Sequence, residues 1–143
     1  MKSSSFKDNA IAFLVVCIAA LTACLVYFFL PDKIPMQWSG TRVIWYADKI
    51  AIFSIPIISA IVVIFLKPLI DAFFRNQLIL LPKLSGIIVA GIAFILYSCE
   101  LYTVACCFGV VLHIEYIVFP ELLFLAILCI SYVLRMRKIS SSS

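Results

Sequence analysis

Residues 10–30 read AIAFLVVCIAALTACLVYFFL. At a rise of 1.5 Å per residue, this uncharged run reaches about 30 Å, the thickness of a bilayer's hydrocarbon core. A soluble helix of that length needs a polar face, and this stretch has none. Lys2 and Lys7 precede it, where they would meet lipid headgroups. The rest of the chain follows the same pattern. It is 66% hydrophobic over 143 residues, with 13% charged residues and a mean hydropathy of +1.23. Soluble domains carry about 25% charged residues. The polar groups needed to cover a water-soluble fold are missing, so the chain reads as an integral membrane protein.

Three further apolar runs follow. The second extends from Ile50 to Ile70 behind Asp48 and Lys49, and Pro56 within it is expected to kink the helix. The third starts at Leu84 and stays apolar to about His113, too long for one upright helix, so its span should end near Gly109. The fourth covers Val118 to Leu134, with Glu121 near its start and Arg135, Arg137 and Lys138 behind it. Residues 71–83 (DAFFRNQLILLPK) read as a cytoplasmic amphipathic linker, and 139–143 as a disordered tail. The positive-inside rule orients the whole. Lys2, Lys7, Lys67, Arg75, Lys83, Arg135, Arg137 and Lys138 fall on one side, against Lys33, Arg42 and Lys49 on the other. The expected fold is therefore all-α: a single domain, 1–143, of four transmembrane helices with both termini inside and a structured outer loop between helices 1 and 2. The small-residue pairs Ala19–Ala23, Gly86–Ala90 and Ala105–Gly109 are candidates for helix contacts.

Several function classes drop out. The net charge of +4 comes from cations at the ends of apolar runs, which gives no basic patch for nucleic acid. All six cysteines lie inside apolar runs, where cysteine behaves as a small hydrophobe, and none has zinc-site spacing. Leu21-Thr22-Ala23-Cys24 has the form of a lipoprotein cleavage site, but LVYFFL continues the apolar run where a polar tether would be expected. No nucleophile is paired with a base, and the single histidine is His113, so no enzyme and no cofactor are expected.

The longest polar loop opens with LPDKIPMQWSG, residues 30–40. Pro31 and Pro35 stiffen the exit from the first helix. Ser39-Gly40 can turn the chain between MQW and TRVIWY, two flanks rich in strand formers, and a hairpin so small would need support from neighbouring helices. Asp48 is placed to cap the second helix. Trp38, Trp45 and Tyr46 suit the headgroup layer, so the plainer reading is an interfacial aromatic belt. The functional reading makes Gln37, Trp38, Arg42 and Trp45 a docking surface for a partner.

This loop and its flanks resemble the DUF1648 domain, the N-terminal part of SdpI-like bacterial immunity proteins. Members of that family carry leucine-proline-aspartate-x-isoleucine-proline, then a histidine or glutamine, an aromatic, a polar turn, and a lysine opening the next helix. Leu30, Pro31, Asp32, Ile34, Pro35, Gln37, Trp38, Trp45 and Lys49 match, over about residues 10–65. Gln37 stands where histidine is common and Ser39 where asparagine is common. No metal is therefore expected at the loop. The second half departs from the family's C-terminal pattern. The resemblance implies protection of the producing cell against a secreted toxic peptide, with some relatives acting in signalling.

Glu100 lies about two thirds of the way along the third run. A lone carboxylate at that depth is expensive, so it should be protonated, paired or reached by water. Thr103 and Cys107 share its face. Tyr27, Ser54 or Tyr132 are candidate hydrogen-bond donors to it. His113, Glu115 and Glu121 lie close in sequence but form no ligand motif. The reading is a multi-pass protein of the bacterial cell membrane, lying in the lipid bilayer, that binds another membrane protein or an extracellular peptide through its outer loop, as an immunity-like factor or accessory subunit; a homo-oligomer is a further expectation. The alternative is a small oligomeric transporter or channel using Glu100.

Overall fold

The computed structural model describes residues 4–73 and 81–141. Helix α1 (Ser4–Val26) leads into a hairpin of β1 (Lys33–Ser39) and β2 (Arg42–Asp48). A short 3-10 helix (Lys49–Phe53) then feeds α2 (Ser54–Phe73), followed by α3 (Leu81–Cys107) and α4 (Glu115–Ser141). Among the described residues four helices are long and apolar enough to cross a membrane. The fold is helical with one small antiparallel sheet, so the all-α expectation needs that amendment.

Polarity is arranged for lipid. The outward stripe of α1 is Ile11, Leu14, Ile18, Leu21 and Leu25, all exposed, while its buried stripe is Ala12, Ala19 and Ala23. Water would favour the reverse arrangement. In a bilayer, large apolar side chains can face lipid while small ones let helices approach closely. Ala12, Val63, Val89 and Ala93 form one buried cluster between α1, α2 and α3. Ala23, Leu30, Ile34 and Ile52 form a second at the hairpin end. The core is thus a three-helix bundle. Helix α4 packs on α3, and no described residue of α4 is buried.

Several element boundaries differ from expectation for clear reasons. Pro56 sits in the first turn of α2, where a helix tolerates proline because its amide has no intrahelical partner. Pro68 is the proline inside α2, and it deprives the Ile64 carbonyl of its usual donor. Helix α3 stops where a span was expected to stop. Gly109 has φ +89°, its N–H reaches the Cys106 carbonyl at 3.1 Å, and Val110 N–H reaches that of Ala105 at 3.1 Å. This left-handed cap needs glycine. Helix α4 starts at Glu115, earlier than the apolar run. It continues through the helix-favouring Arg135, Arg137 and Lys138 to Ser141, into the stretch expected to be a tail. Of the expected linker, residues 71–73 lie in α2 and 81–83 in α3, and 74–80 lie outside the described residues, as do 142–143.

Candidate functional site

The hairpin caps one end of the bundle. Its base is tied twice. Lys33 Nζ lies 2.7 Å from Asp48 Oδ1, and Lys49 Nζ lies 3.1 Å from Asp32 Oδ1. The Lys49 amide also donates to the Asp32 carbonyl at 3.0 Å, and its ammonium sits 5.5 Å from the centre of the Tyr27 ring. Exposed pairs of this kind contribute about 0.2–1 kcal/mol each, so they fix register more than stability. Asp48 does not cap a helix with its side chain, contrary to expectation. It is the cross-strand partner of Lys33, and the 3-10 helix separates it from α2.

The turn is Gly40-Thr41, one residue later than expected, because β1 continues through Ser39 and pairs it with Arg42. Gly40 has φ +60°, which suits a two-residue hairpin turn with glycine first. The register slips on either side of Gln37, so Gln37 pairs with Trp45 while Trp38 pairs with Val43. Such bulges twist a ribbon and re-aim its side chains.

The four candidate docking residues divide. Gln37 and Trp45 are cross-strand partners, and Arg42 sits beside the turn; all three are exposed. Ile44, Trp45 and Tyr46 are 57%, 56% and 54% exposed. Trp38 does not join them. Its ring meets Tyr102 of α3 at 5.1 Å in an edge-on contact, and its indole N–H is buried without an acceptor among the described residues. Tyr102 donates in turn to the Leu112 carbonyl at 2.5 Å. A cleft of about 230 Å³ lies between hairpin and α3, lined by Pro35, Trp38, Tyr46, Tyr102, Cys106 and Val110 among others. His113, from the α3–α4 connection, faces the turn closely enough that a Cβ on Gly40 would meet its ring at 3.4 Å.

Residues 13–60 match a family described as a domain of unknown function, DUF1648. The chain carries a DUF1648 domain. Its bounds enclose the second half of α1, the whole hairpin and the start of α2, so the DUF1648 segment is the unit just described. The chain is also similar to the immunity protein SdpI of Bacillus subtilis (strain 168), at 29% identity over 114 residues. That alignment covers 78% of this chain and 53% of the relative, so the chain spans about half the relative's length. A 114-residue alignment cannot fit within residues 10–65, so the likeness continues into the half of the chain expected to depart from that family. No solved structure matches.

The intramembrane candidates lie below the DUF1648 hairpin. Glu100 is fully buried, and neither carboxyl oxygen has a hydrogen-bond partner among the described residues. Thr103 is buried too, and bonds back to the Cys99 carbonyl at 3.0 Å. Ser54 donates to the Ala51 carbonyl at 2.6 Å rather than to Glu100. Glu121, expected as a solvated charge near a helix start, lies inside α4, where it accepts a 2.7 Å bond from Ser98 Oγ. The earlier start of α4 places it there, away from the exposed pair His113–Glu115 at 3.6 Å. Four buried polar residues escaped the sequence reading: Asn9, Ser59, Lys67 and Ser85. Lys67 pairs with Asp71 at 2.9 Å while its side chain is only 5% exposed. Ser59 is buried with its hydroxyl unpartnered. The i,i+4 spacing of Lys67 and Asp71 was a usable signal for that pair. Nothing local marks Ser59.

Proposed function

We propose that this chain is an immunity-like protein of the bacterial cell membrane, and that it binds a partner protein or peptide through the exposed face of its hairpin. In this reading both termini are cytoplasmic and the hairpin lies outside. Gln37, Arg42 and Trp45 contact the partner, with Ile44 and Tyr46 beside them. Trp38 seats the hairpin on α3 and acts through that seating.

One observation carries the proposal: a hairpin fastened at its base and docked on the bundle still leaves Ile44, Trp45 and Tyr46 more than half exposed beside Arg42. Aromatic residues with an arginine are the side chains that most often dominate binding energy. A preformed strand pair also loses little entropy on binding. The likeness to a protein named for immunity supports protection as the purpose. Tight anchoring favours recognition over a simple headgroup belt, which needs no fixed register.

The test is a growth challenge. Cells lacking the gene are exposed to the culture fluid of their own stationary phase, then complemented. The native chain should restore growth. The variant Gln37→Ala/Arg42→Ala/Trp45→Ala, at equal membrane abundance, should not. Full protection by the variant would remove the docking face from the account.

A further inference from the structure

The hairpin reading leaves Glu100 unused. Its surroundings follow from helix register. Toward one end lies the cluster of Ala12, Val63, Val89 and Ala93. Toward the hairpin lies the cluster of Ala23 and Ile52, against which Val104 and Cys107 pack. Glu100 is seven residues beyond Ala93, about 10 Å along α3. On α2, which runs the other way, Ser59 and Pro56 lie about 6 and 10 Å beyond Val63. On α1 the buried residue of this layer is Ala19. Glu100 therefore lies in a layer between two apolar plugs, opposite a small alanine, a proline and a serine.

The Ser59 hydroxyl is spare. Thr22, Ser54 and Thr103 each bond back to a carbonyl of the preceding turn, at 2.9, 2.6 and 3.0 Å. Ser59 Oγ is buried and bonds to nothing among the described residues. A carboxyl and a free hydroxyl are thus sealed in one layer of an apolar bundle, where unsatisfied polar groups cost several kcal/mol.

Among the described residues no cation answers Glu100. From Asn9 to Val26, α1 has no charged residue; its titratable groups there are Cys17 and Cys24, and Tyr27 follows directly after it. On α2, Lys67 and Asp71 pair with each other, and Lys67 is about 12 Å along the helix from Ser59. On α3 the nearby titratable groups are Tyr97, Cys99, Tyr102, Cys106 and Cys107. Glu121 of α4 accepts from Ser98. At the hairpin, Lys33 and Lys49 are taken by Asp48 and Asp32. A hard metal cation takes about six oxygen ligands, and this layer supplies at its side chains the two carboxyl oxygens, the Ser59 hydroxyl and, one turn along, that of Thr103.

We propose that Glu100 is an intramembrane proton-binding site, in a buried layer that also holds the unbonded Ser59 hydroxyl. The proton is exchangeable with water. The site is separate from the hairpin face and does not depend on its role.

The test uses the full-length chain in liposomes treated with dicyclohexylcarbodiimide, an apolar reagent that modifies protonated carboxyls inside membranes. Peptide mass spectrometry should find the adduct on Glu100, with Asp32, Asp48 and Glu115 unmodified. As the pH is raised, labelling should pass a midpoint and then fall about tenfold per pH unit, as the neutral acid does. Ser59→Ala keeps the carboxyl and should move that midpoint. Infrared spectra of the unmodified protein give a check independent of reagent access: a protonated-carboxyl band should shift in heavy water. Labelling of Glu100 indifferent to pH would overturn the proposal, as would protection by sodium at fixed pH or absence of the infrared band.

Discussion

Two tryptophans on one hairpin have opposite assignments. Trp38 packs on Tyr102, and Trp45, one strand over, is 56% exposed. Strand alternation alone would not separate them reliably, because the register slips at Gln37 change which side chains face inward. Trp38→Ala should lower stability by about 2 kcal/mol, below the value for a fully buried aromatic because Trp38 is only half-buried. Trp45→Ala should change it by less than about 0.5 kcal/mol. Thermal melts followed by thiol labelling of the six free cysteines would measure both. Equal losses would contradict the split. The sequence located the hairpin loop through its prolines and aromatics. Which tryptophan turned inward was not legible, because the bulge and the α3 surface decide it and neither is local.

At the scale of elements, the clearest lesson is in α2 and α4. The apolar runs located both helices, because a bilayer demands continuous apolar length. Their ends were harder to read, since helix formation does not stop where hydrophobicity does. Glu115 opens α4 ahead of its apolar run, and the basic residues carry it beyond. Lys67 counts among the inside cations in the sequence, yet it is buried along α2 and held by Asp71. Removing one partner of a buried pair leaves the other uncompensated. Lys67→Met should cost about 2 kcal/mol, less than for a fully enclosed pair because Asp71 retains 39% side-chain exposure. Lys67→Met/Asp71→Leu should recover most of that loss in the same melts. A double variant no better than the single would mean that the pair does not act as a unit.

At the scale of the whole molecule, three helices enclose the core and hold a hairpin at one end, while α4 packs on the side of α3. The polar layer of Glu100 lies within that core, and the candidate docking face lies outside it. The class of the molecule was legible from composition, since so few charges cannot clothe a soluble fold. The Glu100 layer was only half legible: the carboxyl is visible in the sequence, but its sealing between two apolar clusters is a product of three helices meeting. The central claim is that the hairpin presents Trp45 to a partner outside the membrane. The most direct measurement is photo-crosslinking in living cells, with p-benzoyl-phenylalanine placed at position 45 or, as a lipid-facing control, at position 61. The account predicts a discrete adduct of higher mass from position 45, lost with Arg42→Ala and absent from position 61. Identical patterns from both positions, or an adduct indifferent to Arg42→Ala, would contradict it.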